Sequence, residues 1–118
     1  MSVASAVLAL LLAFFFFALG TAKVVAVQPM RVRAAEVGFS TMAYRRIGLL
    51  EVASAIGLLL GLVEPLIGAL AAAGLLLLLV GAVVTHLRHG DGPRKYAPAV
   101  VSGLLVAAYL VALLAATR

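Results

Sequence analysis

The sequence predicts an all-α fold: a four-transmembrane-helix bundle with a short interfacial helix between its first two spans. Three observations predict it. First, hydrophobic residues make up 66% of the 118 and charged residues 11%, against about 45–50% and about 25% in soluble domains. A core this small cannot hide that excess, which excludes a soluble monomer and a disordered chain. Second, four apolar runs come near or pass the roughly 20 residues that bridge a bilayer core of about 30 Å. Third, those runs are rich in Leu and Ala and do not alternate, which favours helices over a β-barrel. An open sheet would leave backbone polar groups unsatisfied in lipid.

The first span covers residues 3–22, with no charge. Its leading Met1-Ser2 carries no positive side chain, and the run is longer than the ~7–15 residues of a signal peptide's apolar region. It is therefore read as a retained helix. In the connection that follows, Pro29 opens Met30 to Val37, where Arg31, Arg33 and Glu36 sit among apolar residues. This reads as a helix lying near the headgroups. Gly38 suits its C-terminal cap, and Ser40 or Thr41 suits the N-cap of the next span.

The second span is expected over residues 44–63, its apolar part interrupted only by Glu51. Gly61-Leu-Val-Glu-Pro65 is a tight turn, and Pro65 is a good first residue for a helix. The second and third spans are thus antiparallel neighbours. The third span covers 65–87 and the fourth 96–117. One transmembrane domain over residues 1–118 accounts for the chain, and no internal repeat is visible.

The net charge is +5. In so apolar a chain this signals membrane orientation, not nucleic-acid binding. The first connection holds Lys23, Arg31, Arg33, Arg45 and Arg46, and the third holds Arg88, Arg94 and Lys95. The opposite side has only Arg118. The basic loops are therefore expected in the cytoplasm and both termini outside. The chain has no cysteine, which excludes disulfides, thiol redox chemistry, thiolate metal sites and c-type haem attachment. It also lacks a phosphate-binding glycine loop, a Ser/His/Asp set, an HExxH motif and paired carboxylates.

The polar residues concentrate in the expected cytoplasmic half. Glu51 lies six residues beyond Arg45, about 9 Å deeper at 1.5 Å per residue, and Ser102 lies about as deep in the fourth span. A charge inside a membrane is costly and faces the bundle interior as a rule. Gly48, Glu51 and Ser54 form one narrow helical stripe, and small residues there let a neighbouring backbone approach. Phe16, Gly20 and Lys23 form a comparable stripe on the first span. A Lys23–Glu51 ion pair is geometrically reasonable, because lysine reaches along its stem; His86 is another candidate partner. The candidate ligand-binding set is Lys23, Glu51, His86, Gly20, Gly48, Ser54, Phe16 and Ser102.

Plainer readings stand beside these. Glu51 is equally well explained by a structural ion pair or a protonated carboxyl. Lys23 is explained by snorkelling to the headgroups, and His86 by an interfacial position. His86 and His89 have only Asp91 near them as a third ligand, so no metal is expected. No cofactor is expected either.

Three motifs carry a family resemblance: Phe16-x-x-x-Gly20-x-x-Lys23, Tyr44-Arg45-x-Ile47-Gly48-x-x-Glu51, and Ala82-x-x-x-His86. Together they resemble the DoxX-like family of small four-helix bacterial membrane proteins, along nearly the whole chain. Gly20, Lys23, Gly48, Glu51 and His86 occupy the family-type positions. The resemblance implies an integral protein of the bacterial cytoplasmic (inner) membrane. It does not imply one activity: relatives have been linked to thiosulfate:quinone oxidoreduction, to membrane complexes handling oxidative stress, and to assembly of other membrane proteins.

The function expected is binding of a small lipid or quinone-like molecule, or service as an accessory subunit, with the bilayer and a membrane or cytoplasmic protein as partners. A homodimer is compatible with the size. One alternative is a quinone-linked oxidoreductase subunit, with Glu51 or His86 moving the proton. Another is a small proton-coupled exporter. The chain resembles small multidrug transporters in size and helix number, although those carry their carboxylate in the first helix. Whether the protein is an enzyme is left open by the sequence.

Overall fold

The computed structural model describes residues 2–116 and is all-α there, with five helices among the described residues. Met1, Thr117 and Arg118 lie outside them, and with them the last residue of the expected fourth span. Helix α1 is Val3–Val25, opened by a reciprocal cap in which Ser2 Oγ accepts from Ser5 N and Ser5 Oγ accepts from Ser2 N, both at 3.1 Å. The helix continues three residues past the expected end at Ala22, so Lys23 is helical and in register with Gly20. Ala26 then reverses the chain in the left-handed region at φ 59°. Arg31 steadies that turn by donating from Nε to the Ala26 carbonyl at 2.9 Å.

Helix α2, Gln28–Glu36, carries Pro29 in its first turn, where a missing N–H is harmless. Val37 caps it and Gly38 follows at φ 76°, a conformation that suits glycine. Its Met30 and Ala34 are buried while Arg31 and Arg33 are exposed. Helix α3 is Thr41–Leu60, capped by Ser40 Oγ, which accepts from Ala43 N at 3.0 Å. It starts and stops three residues before the expected 44–63, because the turn already begins at Gly61. Helix α4 is Pro65–Arg88, with Glu64 as its N-cap. Helix α5 is Pro93–Ala116 and starts a turn before the expected Tyr96. Pro98 lies inside it, which removes one rung of the helical hydrogen-bond ladder.

The four long helices form a closed ring in the order α1, α3, α4, α5 and back to α1, with the α1–α3 interface the most extensive. Helix α2 lies across the end of α1 and α3. The core runs along the ring axis through Ala9, Leu12, Phe16, Ala55, Leu58, Leu75, Val106 and Tyr109. Most remaining large apolar residues, such as Phe14, Leu50, Leu77 and Val111, point outward. That arrangement is unstable in water and natural in hydrocarbon.

Three helices are long and apolar enough to cross a membrane: α1, α4 and α5, with mean hydropathies of 2.6, 2.7 and 2.5. Helix α3 differs. Any 18-residue stretch of its 20 residues holds Arg45, Arg46 and Glu51, so composition alone does not qualify it as a span. The long axis of the molecule is 43 Å. The α2–α3 and α4–α5 connections meet at one end: Lys95 Nζ lies 3.6 Å from Glu36 Oε2. The ring of His89 lies against Gly38, 3.5 Å from where a β-carbon would stand. This is the basic end of the bundle.

Candidate functional site

The site begins with two glycines. A β-carbon on Gly20 would stand 2.7 Å from the Gly48 carbonyl oxygen, and one on Gly48 would stand 2.6 Å from the Gly20 carbonyl oxygen. Only hydrogen at both positions lets the backbones of α1 and α3 touch. One helical turn from each glycine stand Lys23 and Glu51, and the close crossing brings them together as an ion pair. The Lys23 side chain is 15% exposed and that of Glu51 5%. Paired charges of opposite sign are how a bundle interior tolerates either.

Tyr44 completes the cluster. Its ring centroid is 5.1 Å from Lys23 Nζ, a cation–π contact. Phe39 braces the Tyr44 ring edge-on at 6.2 Å. An ammonium has three protons to donate, and Glu51 is the only hydrogen-bond acceptor of Lys23 among the described residues. The cluster therefore keeps donor capacity on the exposed edge of Lys23.

The structure brings Gly20, Lys23, Gly48 and Glu51 together and sets the other candidates apart. Phe16 is buried in the core one turn from Gly20. Ser54 is only half-buried. The buried row of α3 passes from Gly48 and Glu51 to Ala55 and Leu58, because a 3.6-residue period drifts off a strict three-residue step. His86 is not a partner of Glu51. Its Nδ1 lies 2.7 Å from Asp91 Oδ2, since the chain folds back after α4 and Asp91 N donates to the His86 carbonyl at 3.0 Å. The hydrogen bond from His86, foremost, holds the Asp91 carboxyl below the usual carboxylate range. Among the described residues, no three His, Asp or Glu side chains converge to hold a metal ion.

Ser102 is buried on α5, one turn after Pro98. It lines a groove of about 380 Å³ between α1 and α5, with Leu8, Leu12, Phe15, Pro98 and Leu105 among the other walls. Ser102 is the one side chain there that can donate a hydrogen bond. A second groove of about 280 Å³ lies between α4 and α5 and is wholly apolar. Neither groove is lined by Lys23, Glu51 or His86.

Two participants were not evident from the sequence. Tyr44 lies beneath Lys23; its place seven residues before Glu51, on the same face, is the signal. Tyr109 is fully buried, its hydroxyl pressed against Gly61 and Gly68 without a hydrogen-bond partner among the described residues. Its spacing from Ser102 and Val106 marks the inner face of α5.

Comparison with curated proteins and with solved structures gives no match. A model of the DoxX-like family matches residues 7–115. That stretch includes both glycines of the crossing, the ion pair, His86 and Ser102, and the chain belongs to the DoxX-like family.

Proposed function

We propose that this multi-pass membrane protein is a binding or accessory subunit for an elongated amphiphile, a lipid or a quinone-like molecule. All four long helices span the membrane in this reading, as one domain, in the bacterial cytoplasmic membrane. The basic end faces the cytoplasm. Helix α3 crosses because its only interior charge, Glu51, is neutralised by Lys23.

The observation that carries the reading is an alignment on α1. Leu8, Leu12, Phe15, Leu19 and Lys23 follow each other at steps of four, three, four and four residues, which is one helix face. The first three line the α1–α5 groove. Lys23 lies eight residues beyond Phe15, about 12 Å along the axis at 1.5 Å per residue. A molecule with its apolar chain in the groove reaches the exposed edge of Lys23 with its polar head. Ser102 donates to an ester or quinone carbonyl along the way. Glu51 and Tyr44 hold the ammonium in position, and Gly20 and Gly48 let the two helices close on it. His86, tied to Asp91, fastens the α4–α5 turn at the same end.

Native mass spectrometry from mild detergent tests this. The unaltered protein is expected to retain an amphiphile of defined mass. Ser102→Phe, which places a ring in the groove, is expected to lose most of it while remaining helical. Undiminished retention by Ser102→Phe, or no bound amphiphile on the unaltered protein, contradicts the proposal.

A further inference from the structure

Arg45 has no partner among the described residues. It is the fifth residue of α3 and is half-buried. Its Nε is sealed from solvent and reaches no acceptor. Among the described residues its guanidinium makes no hydrogen bond or ion pair. A guanidinium stays protonated at any pH a cell meets, so it cannot escape by losing its charge. A buried charged donor without an acceptor is more costly than a neutral one.

The acidic residues are already committed. Glu51 pairs with Lys23, Glu36 with Lys95, and Asp91 with His86 and Lys95. The remaining acidic residue, Glu64, caps α4 at the far end of the bundle. The basic end thus gathers Lys23, Arg31, Arg33, Arg45, Arg46, Arg88, Arg94 and Lys95 against three carboxylates. No side-chain carboxylate among the described residues is left for Arg45. An acceptor from outside the chain would satisfy it.

Its surroundings say from where. Along α3, Arg45 is flanked by Met42, three residues before it, and Leu49, four residues after it, which are 54% and 58% exposed. Exposed apolar side chains beside a cation at the end of an apolar bundle match acyl chains beside a headgroup. We propose that Arg45 anchors a site for the phosphate of an anionic phospholipid. A turn about the outer side-chain torsions presents Nε–H and a terminal N–H together to two phosphate oxygens, the paired geometry a guanidinium suits best. The site uses no residue of the α1–α5 groove, so this proposal and the functional reading above can fail separately.

The test counts phosphatidylglycerol and phosphatidylcholine bound to the full-length protein in mild detergent by native mass spectrometry. Helical content by circular dichroism serves as the folding control. Arg45→Gln is expected to lower phosphatidylglycerol retention about tenfold, the loss of a charge-assisted pair of hydrogen bonds. Arg46→Gln, at the exposed neighbour, is expected to change it less than about twofold. Arg45→Lys keeps the charge but loses the fork, and about a threefold loss is expected; this variant decides the matter if Arg45→Gln does not fold. Unchanged retention in the Arg45 variants overturns the proposal. So does an equal loss in Arg46→Gln, which means diffuse attraction. Release of the lipid by inorganic phosphate assigns the site to a free anion and overturns the lipid assignment.

Discussion

Lys23 and Glu51 show what a single pair of residues does in this protein. Each alone would be an expense in hydrocarbon, and together they fix which face of α1 meets which face of α3. The pair was one of two partnerships the sequence offered Glu51, because Lys23 and Glu51 each sit one turn from a glycine on a small-residue stripe. The partner of His86 was not legible. It depends on the turn after α4 folding Asp91 back onto the helix end, which no helical spacing encodes. Ser54 falls at the edge of the buried face, because a stripe extrapolated at three-residue steps drifts off that face within two turns. The His86–Asp91 contact carries a pH expectation. The folded Asp91 carboxyl lies below its unfolded value, chiefly through the His86 hydrogen bond. Its stabilisation is therefore complete above the ordinary carboxylate range and lost as the pH falls through the lowered folded value. An NMR titration of Asp91 should show a midpoint below that of an unperturbed aspartate, returning toward the ordinary value in His86→Ala. An ordinary midpoint in both proteins would refute this.

Among the elements, α1 and α3 are matched by shape before charge. Gly20 and Gly48 each face the carbonyl oxygen of the other helix, and backbone atoms cannot move aside as a flexible side chain can. Gly20→Ala should therefore cost about 1–3 kcal/mol by overpacking, read as a lower unfolding midpoint in detergent. Gly74 has open space where its β-carbon would stand. Gly74→Ala should be neutral or stabilising by up to about 1 kcal/mol through helix propensity. Equal effects of the two changes would remove the case for a backbone-contact crossing. The existence and order of the helices were legible from apolar runs and from Pro29, Ser40 and Pro65. Their ends shifted by about a turn, because Lys23, Arg94 and Lys95 continue helices that a purely apolar criterion stops. Which helices would leave a groove was not legible. Groove formation depends on how Pro98 and the side chains around it pack.

For the whole molecule, a short core and an apolar exterior give a bundle that depends on the bilayer to cover it. The closing of the two basic connections onto one end, through Lys95–Glu36 and His89–Gly38, agrees with the charge pattern of the sequence. The proposed orientation, with that end in the cytoplasm, rests on the charge rule. The cysteine-free chain makes this measurable with single cysteines in intact cells. Val63→Cys, at the exposed α3–α4 turn, should react with a membrane-impermeant maleimide. Gly92→Cys, at the α4–α5 turn, should react only after permeabilisation. The reverse labelling would invert the orientation, and labelling of both from outside would remove α4 as a span.

The account rests on Glu51 being tied to Lys23 across the α1–α3 crossing, and a double-mutant cycle on unfolding in detergent measures that tie directly. Glu51→Leu alone should cost about 3 kcal/mol by leaving an ammonium uncompensated. Lys23→Met with Glu51→Leu should recover most of that loss, a coupling of at least about 1.5 kcal/mol. Losses that simply add, with no recovery in the double variant, would mean that the two groups act independently and that the crossing is not built around them.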